Sequence, residues 1–433
     1  MKKRWIIVFC AICFTMLVMI TVDTKAAAET SAWNKGKKEV QTDGAFTYYI
    51  HPSKNGKDAW IYKIKIKKGK KGKNLSIPKT IRGKKVTRLG NPKRGSGDDK
   101  EAYATLFGTY IEPWHDWDGS GAKTPVSTLK SIRIPDTVKV IDQAAFSGLN
   151  SVITIKLPKK IKKIEKYTFY GCDKLKTVVL PEQMESFQNS SLWDCPSLKN
   201  IKLSKKNKTF QIQGNCLICK KNNALVFAAA TGKDFAIPEG IKKITSYAFG
   251  SGKSSTIHIP ASVSEIERGA FHRDAWRENI NIKDVTVSEK SPVFARDGQC
   301  IYKISDKSLA VAIPDAKGEL RISELVEKLT PDISLVNCDT AEMGDLEKVV
   351  YPSSLKYVTV PGFGVIRTRN VYFTGSVPPK VVDPNHEYYG ELPIFCHIYV
   401  PEVAEDAYKA WYKENECYSN VDGWHTYNPE TGF

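Results

Sequence analysis

The side chains able to do chemistry are scattered along this chain. Seven histidines, His51, His115, His258, His272, His386, His397 and His425, are present. None falls in an H-E-x-x-H pair, where two imidazoles one helical turn apart hold zinc. No serine stands in a G-x-S-x-G elbow, which would lift a hydroxyl out of a sharp turn for attack. "FGSGKSS" (249–255) resembles the end of a phosphate-binding loop, but Tyr247 stands where that loop needs its first glycine. The expectation is a protein that is not an enzyme and binds no cofactor.

Two further clusters have a chemical reading and a plainer one. In "HDWDGSGAK" (115–123), Asp116, Asp118, Ser120 and Gly121 match positions 1, 3, 5 and 6 of a calcium loop. Its twelfth position, which needs a bidentate Glu, is Ser127, and Pro113 and Pro125 bracket the stretch. A Trp-anchored surface loop is the plainer reading, and Trp114 and Trp117 could equally stack on a sugar ring. No metal is expected there. Of ten cysteines, Cys10 and Cys13 fall in the first apolar run, leaving eight. "CLIC" (216–219) has zinc-ligand spacing but lacks a second such pair. Cys172 and Cys195 occupy one position of consecutive repeats and read as small buried hydrophobes. Cys396 and Cys417 are the expected disulfide of an exported chain.

Lysine is the residue type left over. "KLPKKIKKIEKYTF" (156–169) carries six, and the 433-residue chain has 65 Lys and Arg against 47 Asp and Glu, a formal net charge of +18. The excess is local. Residues 29–100 hold 20 basic and 6 acidic residues and 129–208 hold 16 and 7, whereas 209–433 hold 24 and 29. Such asymmetry points to an oriented contact with a polyanion. Lys2, Lys3 and Arg4, the apolar run Trp5–Val22 and Ala26–Ala28 together read as a secretory signal peptide over residues 1–28. An uncleaved anchor is the alternative.

Those lysines belong to a repeat, which must be recognised before any motif is trusted. "LKSIRIPDTVKVIDQAAFSGLNS" (129–151), "VITIKLPKKIKKIEKYTFYGCDK" (152–174) and "LKTVVLPEQMESFQNSSLWDCPS" (175–197) repeat with a period of 23. A fourth unit begins at Leu198, and degenerate copies surround Pro78, Pro238 and Pro260. Apolar residues at positions 1, 4 and 6, such as Leu129, Ile132 and Ile134, form a short strand that proline at position 7 ends, because it has no N–H. No single unit can bury its apolar face, so stacked coils must bury them jointly as a solenoid.

Units of the form IPxxVxxIxxxAFxxC, together with "IPKTIRGKKVTRLG" (77–90), resemble the BspA-like leucine-rich-repeat surface proteins of bacteria. The likeness spans most of residues 45–410. It includes "QGNCLICKKNNALVFAAA" (213–230) and "RDGQCIYKISDKSLAVAIP" (296–314), which are similar to that family's inserted hairpins, and "VYFTGSVPP" with "IYVPEVAEDAYKAW", similar to its C-terminal cap. Ser204 in place of the strand-ending proline and the fragmentary unit at 351–370 depart from it. The resemblance implies secretion and binding or adhesion at surfaces, without catalysis.

The expected fold is therefore mostly β: a leucine-rich-repeat solenoid with short helical turns and inserted β-hairpins, capped at both ends. The expected order is signal peptide 1–28, basic N-terminal cap with the first repeat and an inserted loop 29–128, solenoid 129–369, and C-terminal cap 370–433. Strand positions 2 and 5 point away from the core, which exposes Lys130, Arg133, Lys156, Lys176, Lys199 and Lys202. A second register, eleven residues into the unit, carries Lys162 and Lys208. Coils stacked roughly 5 Å apart turn such residues into ladders of positive charge. These eight residues are the candidate binding site, for an anionic polymer or surface protein. The protein is expected to be a secreted or cell-surface monomer, with no nucleic acid and no stable membrane insertion once the signal is cleaved. A wall-associated, glycan-acting enzyme that uses the acidic stretch "DPNHEYYGELPIF" (383–395) remains the alternative.

Overall fold

The computed structural model describes residues 39–53, 56–68, 70, 72–90, 103–107, 110–111, 128–229, 232–251, 254–271, 282–336, 346–359, 366, 368–382, 396–415 and 421–430. The leader, the calcium-type loop at 116–121, Gly252, Cys417 and the acidic stretch 383–395 lie outside the described residues.

Each 23-residue unit is one turn of a β-solenoid with three runs. The first run is the short strand: Asn74–Ser76, Ser131–Arg133, Thr154–Lys156, Thr177–Val179 and Asn200–Lys202 form one parallel five-stranded sheet. Leu75, Ile132, Ile155, Val178 and Ile201 are in mutual register, and all are buried. The alternating pleat that sends them inward sends their neighbours to solvent. After the proline turn, a second run of two-residue strands follows, among them Val140–Ile141, Lys163–Ile164 and Ser186–Phe187.

The third run is built of hydrogen-bonded turns, with one 3-10 helix at Asn189–Leu192. Ala144 and Tyr167 hold positive φ angles of 55° and 57° here, a region costly for non-glycine residues. The neighbouring coil fixes them: the N–H groups of Ala144, Phe146 and Gly148 donate to the carbonyls of Lys166, Thr168 and Tyr170. Phe146 and Phe169 stack beneath at 5.9 Å.

Three antiparallel meanders punctuate the solenoid. Phe210–Gln213, Cys216–Cys219 and Ala224–Ala228 form one, and Phe294–Asp297, Cys300–Lys303 and Leu309–Ala312 another. These contain the two hairpins expected from the sequence. The third was not foreseen: Glu39–Asp43, Phe46–Pro52 and Asp58–Ile66, at the basic N-terminal end. All three open with a two-residue turn, closed by Asp43 and Phe46, Gln213 and Cys216, and Asp297 and Cys300. Gly44, Gly214 and Gly298 supply the same φ of 53° in those turns. In the meanders at 39–66 and 210–228 the last strand leaves the hairpin and pairs in parallel with a second-run strand, and in that at 294–312 it pairs with the third-run segment Ser334–Leu335.

The meanders also divide the core. Buried apolar residues cluster over 46–229, 216–336 and 300–411, and the clusters meet at the meanders. The first-run strands correspondingly fall into three sheets, of five, three and five strands, so the ladder is interrupted twice, at the inserted meanders. The third sheet runs through Leu346–Tyr351 and Thr368–Phe373 into His397–Pro401 and Gly423–Tyr427. The expected boundary at 369/370 thus falls inside a strand. Helix α1, Glu405–Glu414, lays Tyr408 and Trp411 over Phe373 at 4.8 and 6.0 Å. Among the described residues, no helix is long and apolar enough to cross a membrane.

Candidate functional site

The first sheet presents three rows of side chains to solvent, because the strands are in register and each coil adds one member to each row. The outer row is Ser76, Arg133, Lys156, Val179 and Lys202. On the entry side lie Lys73 and Lys130, then Ile153, Lys176 and Lys199, linked by backbone hydrogen bonds of 2.6 Å for Lys130 to Lys73, 2.8 Å for Lys176 to Ile153 and 3.0 Å for Lys199 to Lys176. Between them runs a polar row that sequence reasoning missed: Asn74, Ser131, Thr154, Thr177 and Asn200. Ser131 donates its hydroxyl to Asn74 at 2.7 Å. The signal for this row was position 3 of the first five units, which carries hydrogen-bonding groups and no charge.

Lys130, Arg133, Lys156, Lys176, Lys199 and Lys202 are all exposed, as is Lys73, which the sequence reading did not select. None of the seven has an ion-pair partner among the described residues, and no acid stands in these rows. The second sheet differs, with Asp234, Thr256 and Asp284 in one row and Ala236, His258 and Thr286 in the next. The strand face of the first sheet is therefore cationic and free of acids, and that of the second sheet is not.

Residues 125–222 and 221–301 match the family model described as the BspA type leucine rich repeat region, in 6 copies. Residues 125–301 carry BspA-type leucine-rich repeats. It is similar to the crystal structure of a leucine rich cell surface protein from Faecalibacterium prausnitzii, at 16% identity over 78% of this chain and 96% of that one, with a TM-score of 0.36. It is also similar to a leucine-rich repeat protein from Eubacterium ventriosum, at 14% identity over 90% and 85%, TM-score 0.35. The pneumococcal vaccine antigen PcpA is similar at 14% identity over 88% and 98%, TM-score 0.31. No curated protein matches the chain.

Two expected site residues do not join the strand face of the BspA-type coils. Lys162 lies on the second run, where its Nζ pairs with Glu185 of the next coil at 2.7 Å. Lys208 stands just before the meander strand Phe210–Gln213, so no second-run ladder continues through it. Lys356 and Glu327 pair in the same register at 2.8 Å, and one position further on Lys243 pairs with Glu265 and Glu267 at 2.5 and 2.6 Å. Hydrogen bonds to Glu265, then to Glu267, raise the Lys243 pKa. The register reads Lys139, Lys162, Glu185 and Lys208 over successive coils, and its acid pairs with Lys162 across coils.

The buried thiols serve the fold. Cys172 and Cys195 donate to the carbonyls of Phe146 and Phe169 in the preceding coil, at 3.3 and 3.2 Å, as the packing reading required. Cys216 and Cys219, three apart on one strand, face opposite sides of it, so they cannot grip one metal. Burial pushes the Cys216 thiol up to about 12 and the Cys300 thiol up to about 11. Cys396, also buried, is pushed to about 12. These groups stay protonated at neutral pH and are poor nucleophiles.

The third sheet ends in an aromatic series that strand register brings together. Tyr372 stacks on Tyr399 at 4.1 Å, and Tyr399 on His425 at 4.6 Å. His397 Nδ1 and His425 Nε2 are 3.1 Å apart, and Lys348 sits 4.4 Å over the Tyr372 ring. The sequence signal was the middle residue of "VYF" and "IYV".

Proposed function

We propose that this is an extracellular binding protein whose first five coils hold a linear anionic polymer: a wall polymer, an acidic glycan or an acidic segment of a matrix protein. The observation that carries the reading is the pair of cationic rows flanking a polar row, with no acid on that face. Each contact with an exposed lysine is worth only about 0–1 kcal/mol. A polymer that engages several in succession gains through effective concentration, and salt weakens every contact at once. The Ser, Thr and Asn groups between the rows would hydrogen-bond the polymer's own hydroxyls. The BspA-type repeats and the leader read from the sequence agree with a role at the cell surface.

The test is retention on immobilised anionic glycans through a salt series. Changing Lys156, Lys199 and Lys202 together to Glu is expected to abolish retention while leaving the thermal midpoint nearly unchanged, since these side chains face water. The matched control is Lys283, Lys290 and Lys317 to Glu, three exposed lysines beyond the first sheet. Equal loss from both triples would reduce the effect to net charge and sink the reading. Turnover of the bound glycan would replace it with an enzymatic one.

A further inference from the structure

The second run contains a break that the other two runs do not share. Coils at 129–151 and 152–174 are hydrogen-bonded along the first run and again along the third. On the second run Val140–Ile141 pairs only with Lys84–Leu89, and Lys163–Ile164 only with Ser186–Phe187. The step on either side shows what is missing. Glu185 N–H donates to Lys162 O, and Gln188 N–H to Ile164 O. The equivalent bonds, from Lys162 N–H to Lys139 O and from Glu165 N–H to Ile141 O, are not formed. The ladder parts into a cavity of about 450 Å³ lined by Lys139, Val140, Ile141, Lys160, Lys162, Lys163, Glu165 and Gln183.

Charge accounts for where it parts. Lys162 faces Glu185 and the step is closed by an ion pair. Lys139 and Lys162 hold the same position of consecutive coils, and like charges set opposite each other destabilise pairing. Lys163 is satisfied by Glu165 at 3.0 Å. Lys139 and Lys160 have no ion-pair partner among the described residues. The cleft therefore combines two unneutralised ammonium groups, two backbone N–H donors and two carbonyl acceptors released from the ladder, and an exposed apolar surface at Val140.

We propose that this cleft binds a sugar unit bearing a phosphate or sulfate group, at a site separate from the strand face. The oxyanion would sit between Lys139 and Lys160 and accept from the Lys162 and Glu165 N–H groups. Sugar hydroxyls would donate to the Lys139 and Ile141 carbonyls, which a bare anion cannot use. The ring would lie against Val140. The inference does not depend on the strand face, and its test keeps the two apart.

The experiment is calorimetric titration of the full chain at low salt with glucose 6-phosphate, glucose 6-sulfate, inorganic phosphate and glucose. Saturable one-to-one binding of one or both charged sugars is expected, at least tenfold tighter than inorganic phosphate, with none for glucose; the two charged sugars report whether phosphate or sulfate is preferred. Lys139→Gln with Lys160→Gln should weaken it at least tenfold at an unchanged thermal midpoint. Lys156→Gln with Lys202→Gln should leave it unchanged. Absence of saturable binding, inorganic phosphate binding as tightly as the sugars, or equal weakening by both pairs would each overturn the proposal.

Discussion

Gly250 shows how closely single residues are fitted between coils. Its N–H donates to Tyr247 and its carbonyl accepts from Asp194, while a Cβ built on it would drive into the indole of Trp193. Trp193 is itself held by Tyr167 at 5.9 Å and Tyr247 at 4.7 Å, so it has nowhere to retreat. Gly250→Ala is expected to lower stability by about 1–3 kcal/mol, the usual cost of overpacking, measurable by urea denaturation. At this scale much could be read from sequence alone. A pleat of period two fixes where Lys130 and Arg133 point once Ile132 is placed inward. The repeat alignment also sets Glu185 one coil from Lys162, but register alone did not show that the two side chains close into an ion pair. Nor did it single out Ser131, Thr154 and Thr177, whose type is ordinary for any exposed strand.

At the level of elements, proline-ended strands were evident and the meanders only partly so. The segments at 210–228 and 294–312 align through Cys216 and Cys300, but the one at 39–66 puts Phe46 at that position and adds Tyr48, Tyr49 and Trp60. Its glycine turn was the legible clue. Helix α1 depends on two side chains: Tyr408, which also donates its hydroxyl to Gly375 at 3.1 Å, and Trp411. Tyr408→Ala should destabilise the C-terminal core by roughly 3–5 kcal/mol, as for other large aromatic truncations. Hydrogen exchange should then speed up over 346–411 and stay unchanged over 128–202. Equal acceleration in both regions would show that the helix supports the entire array rather than its last coils.

Across the whole molecule, stability should be the sum of coil and interface contributions, since each coil touches only its neighbours. Three buried clusters that meet at the meanders imply weaker coupling there than within each cluster. Thermal or denaturant unfolding is therefore expected to proceed in more than one transition, with a calorimetric enthalpy exceeding the van't Hoff value. A single transition with equal enthalpies would mean the meanders transmit cooperativity fully.

The same partition bears on what happens when a surface-held chain is pulled. Tension applied between the ends would not need to break every coil together; the weakest cluster would yield first and the others would hold. The cluster over 46–229 stores roughly 600–660 Å of contour when extended, at ~3.3–3.6 Å per residue. Released in one step, that slack would lower the load on whatever the strand face grips. If that cluster is the last to yield, the proposed binding surface stays folded while its neighbours lengthen. The meanders would then act as the joints of a tether that gives way in instalments under drag.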